Sequence, residues 1–364
     1  MGDPRYWIGL TLVPGIGPAR LRRLLDYFGQ IETAWHADLA ELIKAGLDSK
    51  SADAVVAARR QIDLDDRLEK IGRQSIDVIT WEDPRYPERL KNIYAPPPVL
   101  YMKGSLLPCD DWSIAVVGTR RATIYGKQIA EQMVAGLVAS SITIVSGLAR
   151  GIDTFAHQAC LQAGGRTIAV LGSGVDVIYP PENARLARQI VENGAVLSEH
   201  PLGTKPDAVN FPQRNRIVSG MTLGTLVVEG DTNSGAMLTA GYALDQGREV
   251  FAVPGNIFHR SSQGTNRLIQ RSGAKLVVTA QDILEELNLQ SAPQQMEIRE
   301  LIPENDTESA LLKALSAEPL HIDEIIRSSG LPVAEVSSAL AMMELKGMVK
   351  HLGGMNYVLA RACS

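Results

Sequence analysis

Five short stretches of this 364-residue sequence place glycine, small hydroxyls and arginine just past apolar runs and just before helical patterns. Gly118-Thr119-Arg120-Arg121 follows the run 114–117 and leads through Tyr125-Gly126 into a helix. Ser146-Gly147-Leu148-Ala149-Arg150-Gly151-Ile152-Asp153 follows 142–145, and Gly172-Ser173-Gly174 follows 167–171, with Tyr179-Pro180-Pro181 beyond it. Lys205, Phe211, Pro212, Arg214, Asn215 and Arg216 come after Glu199. Glu229 is followed by Asn233-Ser234-Gly235-Ala236, which opens another helix. Glycine lets backbone N–H groups approach an anion, a helix N-terminus supplies unpaired donors, and arginine adds bidentate contacts. One such loop is ordinary turn geometry. Five at one sheet edge point to an anionic or nucleotide-like ligand.

The first turn is not G-x-G-x-x-G, and Arg120 and Arg121 would crowd a dinucleotide pyrophosphate there. No Walker lysine motif, H-E-x-x-H, G-x-S-x-G elbow or metal-spaced Cys/His set occurs. No catalytic group, metal or cofactor is therefore assigned. Glu229 and Asp176 stand where bases could, but no nucleophile pairs with them. Asp153 and Ser234 also admit a reading as helix caps, and His157 reads as a packing residue. Arginines and backbone donors beside Phe211 and Tyr179 are what sequence-tolerant binding of single-stranded DNA needs: phosphate contacts plus stacking surface. The candidate DNA-binding set is Gly118, Thr119, Arg120, Arg121, Arg150, Lys205, Phe211, Arg214, Asn215, Ser234 and Gly235.

The elements that must hold this set are legible as three segments. Residues 1–75 read as helical, with Leu21, Leu24, Leu25 and Phe28 at helical spacing and Leu39, Leu42 and Ile43 starting another stripe. In 76–290, apolar runs at 114–117, 142–145, 167–171, 195–197, 225–228, 250–253 and 276–278 alternate with helical patterns. This predicts an α/β domain, an extended Rossmann-like, doubly wound and mostly parallel sheet. Ligands of such sheets sit beyond the carboxyl ends of the strands. Residues 291–306 read as a linker. Residues 307–364, helical and ending in a Gly-Gly turn at 351–357, have the order of a winged helix.

Composition narrows the class. Apolar residues at 45% and charged residues at 21% fit an ordinary globular protein, and a net charge of -5 means that any nucleic-acid site is a local basic cluster. Three cysteines are too few and too scattered for a disulfide framework or zinc site, so a reducing compartment is expected. No signal peptide or long apolar span is read, and the expectation is a cytoplasmic protein without a membrane partner.

At these residues the sequence closely resembles the DNA-processing protein A family (DprA, also called Smf). The resemblance is carried by Val117-Gly118-Thr119-Arg120 through Tyr125-Gly126, by 146–153, by Leu171-Gly172-Ser173-Gly174 through Tyr179-Pro180, and by Phe211-Pro212-Gln213-Arg214-Asn215-Arg216. Ser234-Gly235 through Tyr242-Ala243, Gly247-Arg248-Glu249-Val250 through Val253-Pro254-Gly255-Asn256, and Gly264-Thr265-Asn266 complete it, over about 100–275. The resemblance implies a non-enzymatic single-stranded-DNA-binding protein that delivers the RecA recombinase onto incoming DNA during natural transformation. It also implies a homodimer with a Rossmann-like core. Gly118, Thr119 and Arg120 match the family's Gly-Ser-Arg phosphate loop, Thr119 keeping the hydroxyl. Phe211, Arg214 and Asn215 match its Phe-x-x-Arg-Asn segment. Arg120 is assigned to a phosphate and Phe211 to base contact, while Arg214 is open between a DNA contact and a loop anchor on a buried carboxylate.

Leu12-Val13-Pro14-Gly15-Ile16-Gly17-Pro18-Ala19 resembles a helix-hairpin-helix, with Arg20, Arg22 and Arg23 close by; a sterile alpha motif-like packing module is the alternative. The candidate recognition helix, 332–346, carries Glu335, Glu344, Met342 and Met343 but one terminal lysine, which argues against major-groove reading; its Met pair is assigned to the core. Two other readings compete. A phosphoribohydrolase of the lysine decarboxylase-like Rossmann group would need a Pro-Gly-Gly-x-Gly-Thr loop, and Ser219-Gly220-Met221-Thr222-Leu223-Gly224-Thr225 lacks the Pro-Gly-Gly. A sequence-specific regulator would need a better recognition helix.

Overall fold

A computed structural model describes residues 2–289, 306–315, 320–345, 349–351 and 355–359. Residues 291–305 of the expected linker 291–306 and residues 352–354 of the expected Gly-Gly turn 351–357 lie outside the described residues, and Asp306 opens a helix instead of closing the linker. The chain divides into two compact units, Met1–Leu287 and Asn288–Ser364.

The first unit is built on nine strands: β1 (Asp77–Thr80), β2 (Val99–Gly104), β3 (Ser113–Val117), β4 (Thr143–Ser146), β5 (Thr167–Leu171), β6 (Gly194–Ser198), β7 (Gly224–Val227), β8 (Glu249–Ala252) and β9 (Lys275–Leu276). Their order in the sheet is β1-β2-β6-β5-β4-β3-β7-β8-β9. Strands β3 to β9 pair in parallel and match the seven apolar runs to within a residue or two. Strands β3 to β7 are buried along their whole length, as expected where helices cover both faces. Sequence reading missed β1 and β2. They extend the sheet antiparallel, with Tyr101 opposite Ser198, and β1 buries only two of its four residues. The chain winds outward from β3 through β4 to β6 on one side and from β7 to β9 on the other. The winding reverses between β3 and β7, and the crevice beyond their carboxyl ends is where such sheets bind ligands.

Six helices between Pro4 and Gly72 precede β1, and their buried face shares one hydrophobic core with the sheet. Leu21 and Leu24 are fully buried as the spacing predicts. Of the second stripe only Leu42 is; Leu39 and Ile43 face water. The arginines of the hairpin lie at the surface but contact groups of their own unit. Arg20 donates to the Gly15 carbonyl and pairs with Asp48 at 2.6 Å, Arg23 donates to the Gly46 carbonyl at 3.4 Å, and Arg22 lies 4.4 Å above the Trp81 ring. Those contacts favour the packing role of this module over phosphate binding.

His157 sits in the sheet core as a packing residue, its Nδ1 2.6 Å from the Thr167 hydroxyl. Burial pushes its pKa down to about 3. Between that value and the ordinary 6.5 the unfolded chain binds a proton that the folded chain does not, so stability rises with pH through this window. Below pH 6.5 the fold should lose up to about 1.4 kcal/mol per pH unit from this group. Urea unfolding at pH 7.5 and 5.5 checks it: His157→Gln should flatten the difference, and an unchanged difference would remove His157 as the cause.

The second unit has the helices Asp306–Ala314, Ile322–Ser329 and Val333–Leu345 and a hairpin of Val349–His351 with Asn356–Leu359, joined by a short third strand, Leu320–His321, absent from the sequence reading. This is a winged helix, its core built from Leu311, Ile325, Val336, Leu340, Met343 and Val349. The Met pair divides: Met343 is buried, whereas Met342 is 52% exposed, because adjacent positions on a helix face about 100° apart. The outer face of Val333–Leu345 presents Val333, Glu335, Met342 and Glu344 and, among the described residues, no basic side chain. Base edges in a major groove call for arginine, lysine, asparagine or glutamine.

Candidate nucleic-acid interface

The crevice at the reversal point is an open pocket of about 770 Å³, walled by the loops after β3 and β4 and by two helices, Asn210–Gly220 and Gly235–Asp245. Its wall contains Gly118, Thr119, Arg120, Arg121, Phe211, Arg214, Asn215, Ser234 and Gly235, nine of the eleven expected residues. Arg150 lines an adjoining cleft with Arg120, Tyr179 and Phe211, and its guanidinium is paired with Glu182. Lys205 is exposed and outside the pocket wall, though Pro206 and Ala208 beside it belong to that wall.

The phosphate-type loop after β3 is held by Glu229 at the end of β7. The Thr119 amide donates to the Glu229 carbonyl at 2.8 Å. The Glu229 carboxylate accepts from the Thr123 amide at 3.0 Å and the Thr123 hydroxyl at 2.7 Å, and that hydroxyl in turn caps the helix Ile124–Ala139. Glu229 is buried, and a side chain at Gly126 would collide with its carboxylate. The residue that could have served as a base is thus a scaffold for the loop.

Arg214 holds the loop after β4. It is 4% exposed, and its Nη1 donates to the Gly147 carbonyl at 2.6 Å and to the Val170 carbonyl, while Nε donates to Asn215 Oδ1 at 3.3 Å. Asp153, also buried, accepts from the Gly147 and Ala149 amides at 3.1 and 3.3 Å and faces Arg214 electrostatically. Gly147 is required here because a Cβ would enter the guanidinium. Burial pushes the Asp153 carboxyl above the usual range despite the nearby arginine, and it pulls Arg214 down to about 10, still charged at neutral pH. Arg214 is therefore an anchor, fixed mainly through carbonyls. Asp153 caps a loop rather than a helix; its position after a glycine-rich turn was the one signal for it.

Asn215 passes this order on, donating to the Gly235 carbonyl at 3.3 Å. Ser234 makes no side-chain bond to its helix, contrary to the capping reading, and its hydroxyl is buried without a partner among the described residues. The first-turn amides of Gly235–Asp245 meet the pocket with the donors that a helix N-terminus leaves unpaired. On the opposite wall Arg120 lies 5.6 Å over the Phe211 ring, whose centroid is 5.4 Å from that of Tyr179, a cation-capped aromatic platform. Three arginines against the single carboxylate of Asp153 make the pocket cationic although the chain is acidic overall.

The glycine-threonine stretch 219–225 contributes nothing to the pocket wall. It runs from the end of the helix Asn210–Gly220 into the amino end of β7, away from the loops described above.

Comparison with known proteins meets this geometry. The model of the DNA recombination-mediator protein A family matches residues 77–288, and that of the DprA winged helix domain matches 294–355. The chain belongs to the DNA processing protein A family. The Smf protein of Synechocystis is 35% identical over 98% of both chains, and DNA processing protein DprA of Bacillus subtilis is 42% identical over 70% of this chain and 88% of its own. Among solved structures, DNA processing protein A from Streptococcus pneumoniae superposes with a TM-score of 0.69 at 37% identity, covering 79% of this chain and 99% of that one. The Helicobacter pylori protein, described for its single-stranded DNA binding mode, gives 0.53 at 30%, over 58% and 96%. Among the described residues of this family member, no helix is long and apolar enough to cross a membrane.

Proposed function

We propose that the chain binds single-stranded DNA without reading its sequence. The observation that carries this reading is the pocket itself, where orphan amides and arginines face a Tyr179–Phe211–Arg120 stack. Phosphates are met by charge and backbone donors, bases by π-faces, and neither contact depends on base identity. The Helicobacter pylori relative supports the choice of single strand. The family's description as a recombination mediator supports the next step, delivery of RecA recombinase onto the bound strand, in recombination or natural transformation, by a cytoplasmic homodimer. A binding role is favoured over nucleotide hydrolysis by Glu229, whose carboxylate is engaged by Thr123, and by the position of 219–225 outside the pocket wall.

The test is fluorescence anisotropy with labelled oligo-dT and with duplex DNA across a salt series. Binding should prefer the single strand, and log K should fall against log salt by about 0.7 per phosphate contact. A flat salt dependence, or release of free base from a nucleoside monophosphate, would overturn the reading.

A further inference from the structure

The loop after β8 carries two large apolar side chains in water, Ile257 at 72% and Phe258 at 87% exposure. The loop is firmly held at its base. The Gly255 amide donates to Asn266 Oδ1 at 3.0 Å and the Asn266 side-chain amide donates back to the Gly255 carbonyl at 2.9 Å. Asn256 folds the tip, accepting from the Phe258 amide at 2.9 Å through its side chain and from the His259 amide at 3.0 Å through its carbonyl. The tip is thus presented by its own hydrogen bonds.

A second exposed pair stands beside it. Ile124 and Tyr125, 80% and 44% exposed, open the helix that follows the arginine loop of the pocket, and the Tyr125 hydroxyl donates to the Pro254 carbonyl at 2.9 Å. That bond ties the two segments together, and the surface continues without a break in sequence to Arg121, Arg120 and Thr119 in the pocket wall. Arg121 and His259 are exposed, and Arg260, 82% exposed, is steered by an ion pair with Asp231 at 2.6 Å. Single exposed apolar residues are ordinary on a protein surface. Four on two linked segments, flanked by cations and continuous with a cationic pocket, fit an occupant that is apolar on its faces and anionic along its backbone.

We infer that this surface extends the single-strand track: bases leaving the pocket stack on Phe258 and Tyr125 while Arg121 and Arg260 meet the intervening phosphates. The inference rests on the function proposed above and adds to it a second stacking station at Phe258.

The experiment compares the full chain with Phe258→Ala on labelled oligo-dT of about six and about twenty nucleotides, lengths chosen to fill one site or to run past it. Because the side chain is almost wholly exposed, the variant should fold as the parent does, and light scattering monitors its mass. The short strand should bind both proteins within about twofold. The long strand should bind Phe258→Ala about tenfold more weakly, and Phe258→Trp should restore it. Equal affinities on the long strand, equal losses on both strands, or a fall in mass that reveals a second copy as the occupant would each overturn the extension. Failure of the unmodified chain to bind either strand would instead sink the single-strand function itself, and the extension with it.

Discussion

Arg214→Met should lower the stability of the first unit by about 3–5 kcal/mol and abolish single-strand binding together with it. The side chain lies in the pocket wall, and the intuitive expectation for an arginine there is a surface contact whose loss leaves the fold alone. Its geometry says otherwise. Removing the guanidinium leaves the carbonyls of Gly147 and Val170 without this donor and leaves buried Asp153 without the cation that most favours its charged form. Each buried carbonyl deprived of a donor costs about 1–3 kcal/mol, and Asp153, whose pKa burial already raises, is pushed further toward the neutral acid. The loop after β4 would lose its anchor, and with it the shape of the pocket. Denaturant titration measures the first effect and anisotropy the second. Adding Asp153→Asn to Arg214→Met should recover part of the lost stability, since the cost of burying or protonating a carboxylate without the Arg214 cation is then gone. A single variant within about 1 kcal/mol of the parent would return Arg214 to the role of a ligand contact.

The sheet was legible because β3 to β7 are buried along their whole length, so that each reads as a run of apolar residues, and because the apolar runs at β8 and β9 follow the same alternation with helices. The antiparallel edge was not: β1 has four residues, half of them wet, and resembles a loop by periodicity. The site was legible at the level of loops, since glycine and arginine after a strand have few other uses in combination. Side-chain direction was not. Arg120 and Arg214 have the same chemistry in the sequence, yet one caps an aromatic platform and the other is folded into the core. The difference lies in which carbonyls the helix Asn210–Gly220 brings within reach of position 214. Lys205 shows the same limit from the other side: a cation near the motif in sequence that stands outside the wall, next to Pro206, which belongs to it. Phe258 carried no signal at all, because exposure of an aromatic residue is a property of the loop's hydrogen bonds and not of its composition.

Arg120→Ala should weaken single-strand binding by about ten- to a hundredfold while leaving stability nearly unchanged. The side chain is exposed, and among the described residues it enters no ion pair, so the fold loses little with it. A charge-assisted contact to a phosphate is worth about 1.5–3 kcal/mol, which sets the size of the loss. The loss should be the same for oligo-dT, oligo-dC and mixed strands, and the salt slope should become shallower by about 0.7, because one phosphate contact disappears. Arg120→Lys separates charge from stacking: it should keep the salt slope but recover only part of the affinity, since an ammonium does not lie flat on the Phe211 ring. Arg150→Ala is the internal comparison. Its guanidinium is already paired with Glu182, so the DNA must displace that carboxylate before gaining the contact, and the expected loss is several times smaller. If Arg120→Ala instead discriminated among bases, the arginine would be reading base edges, and the platform of Tyr179 and Phe211 would have to be reassigned from a sequence-blind stacking surface to part of a base pocket.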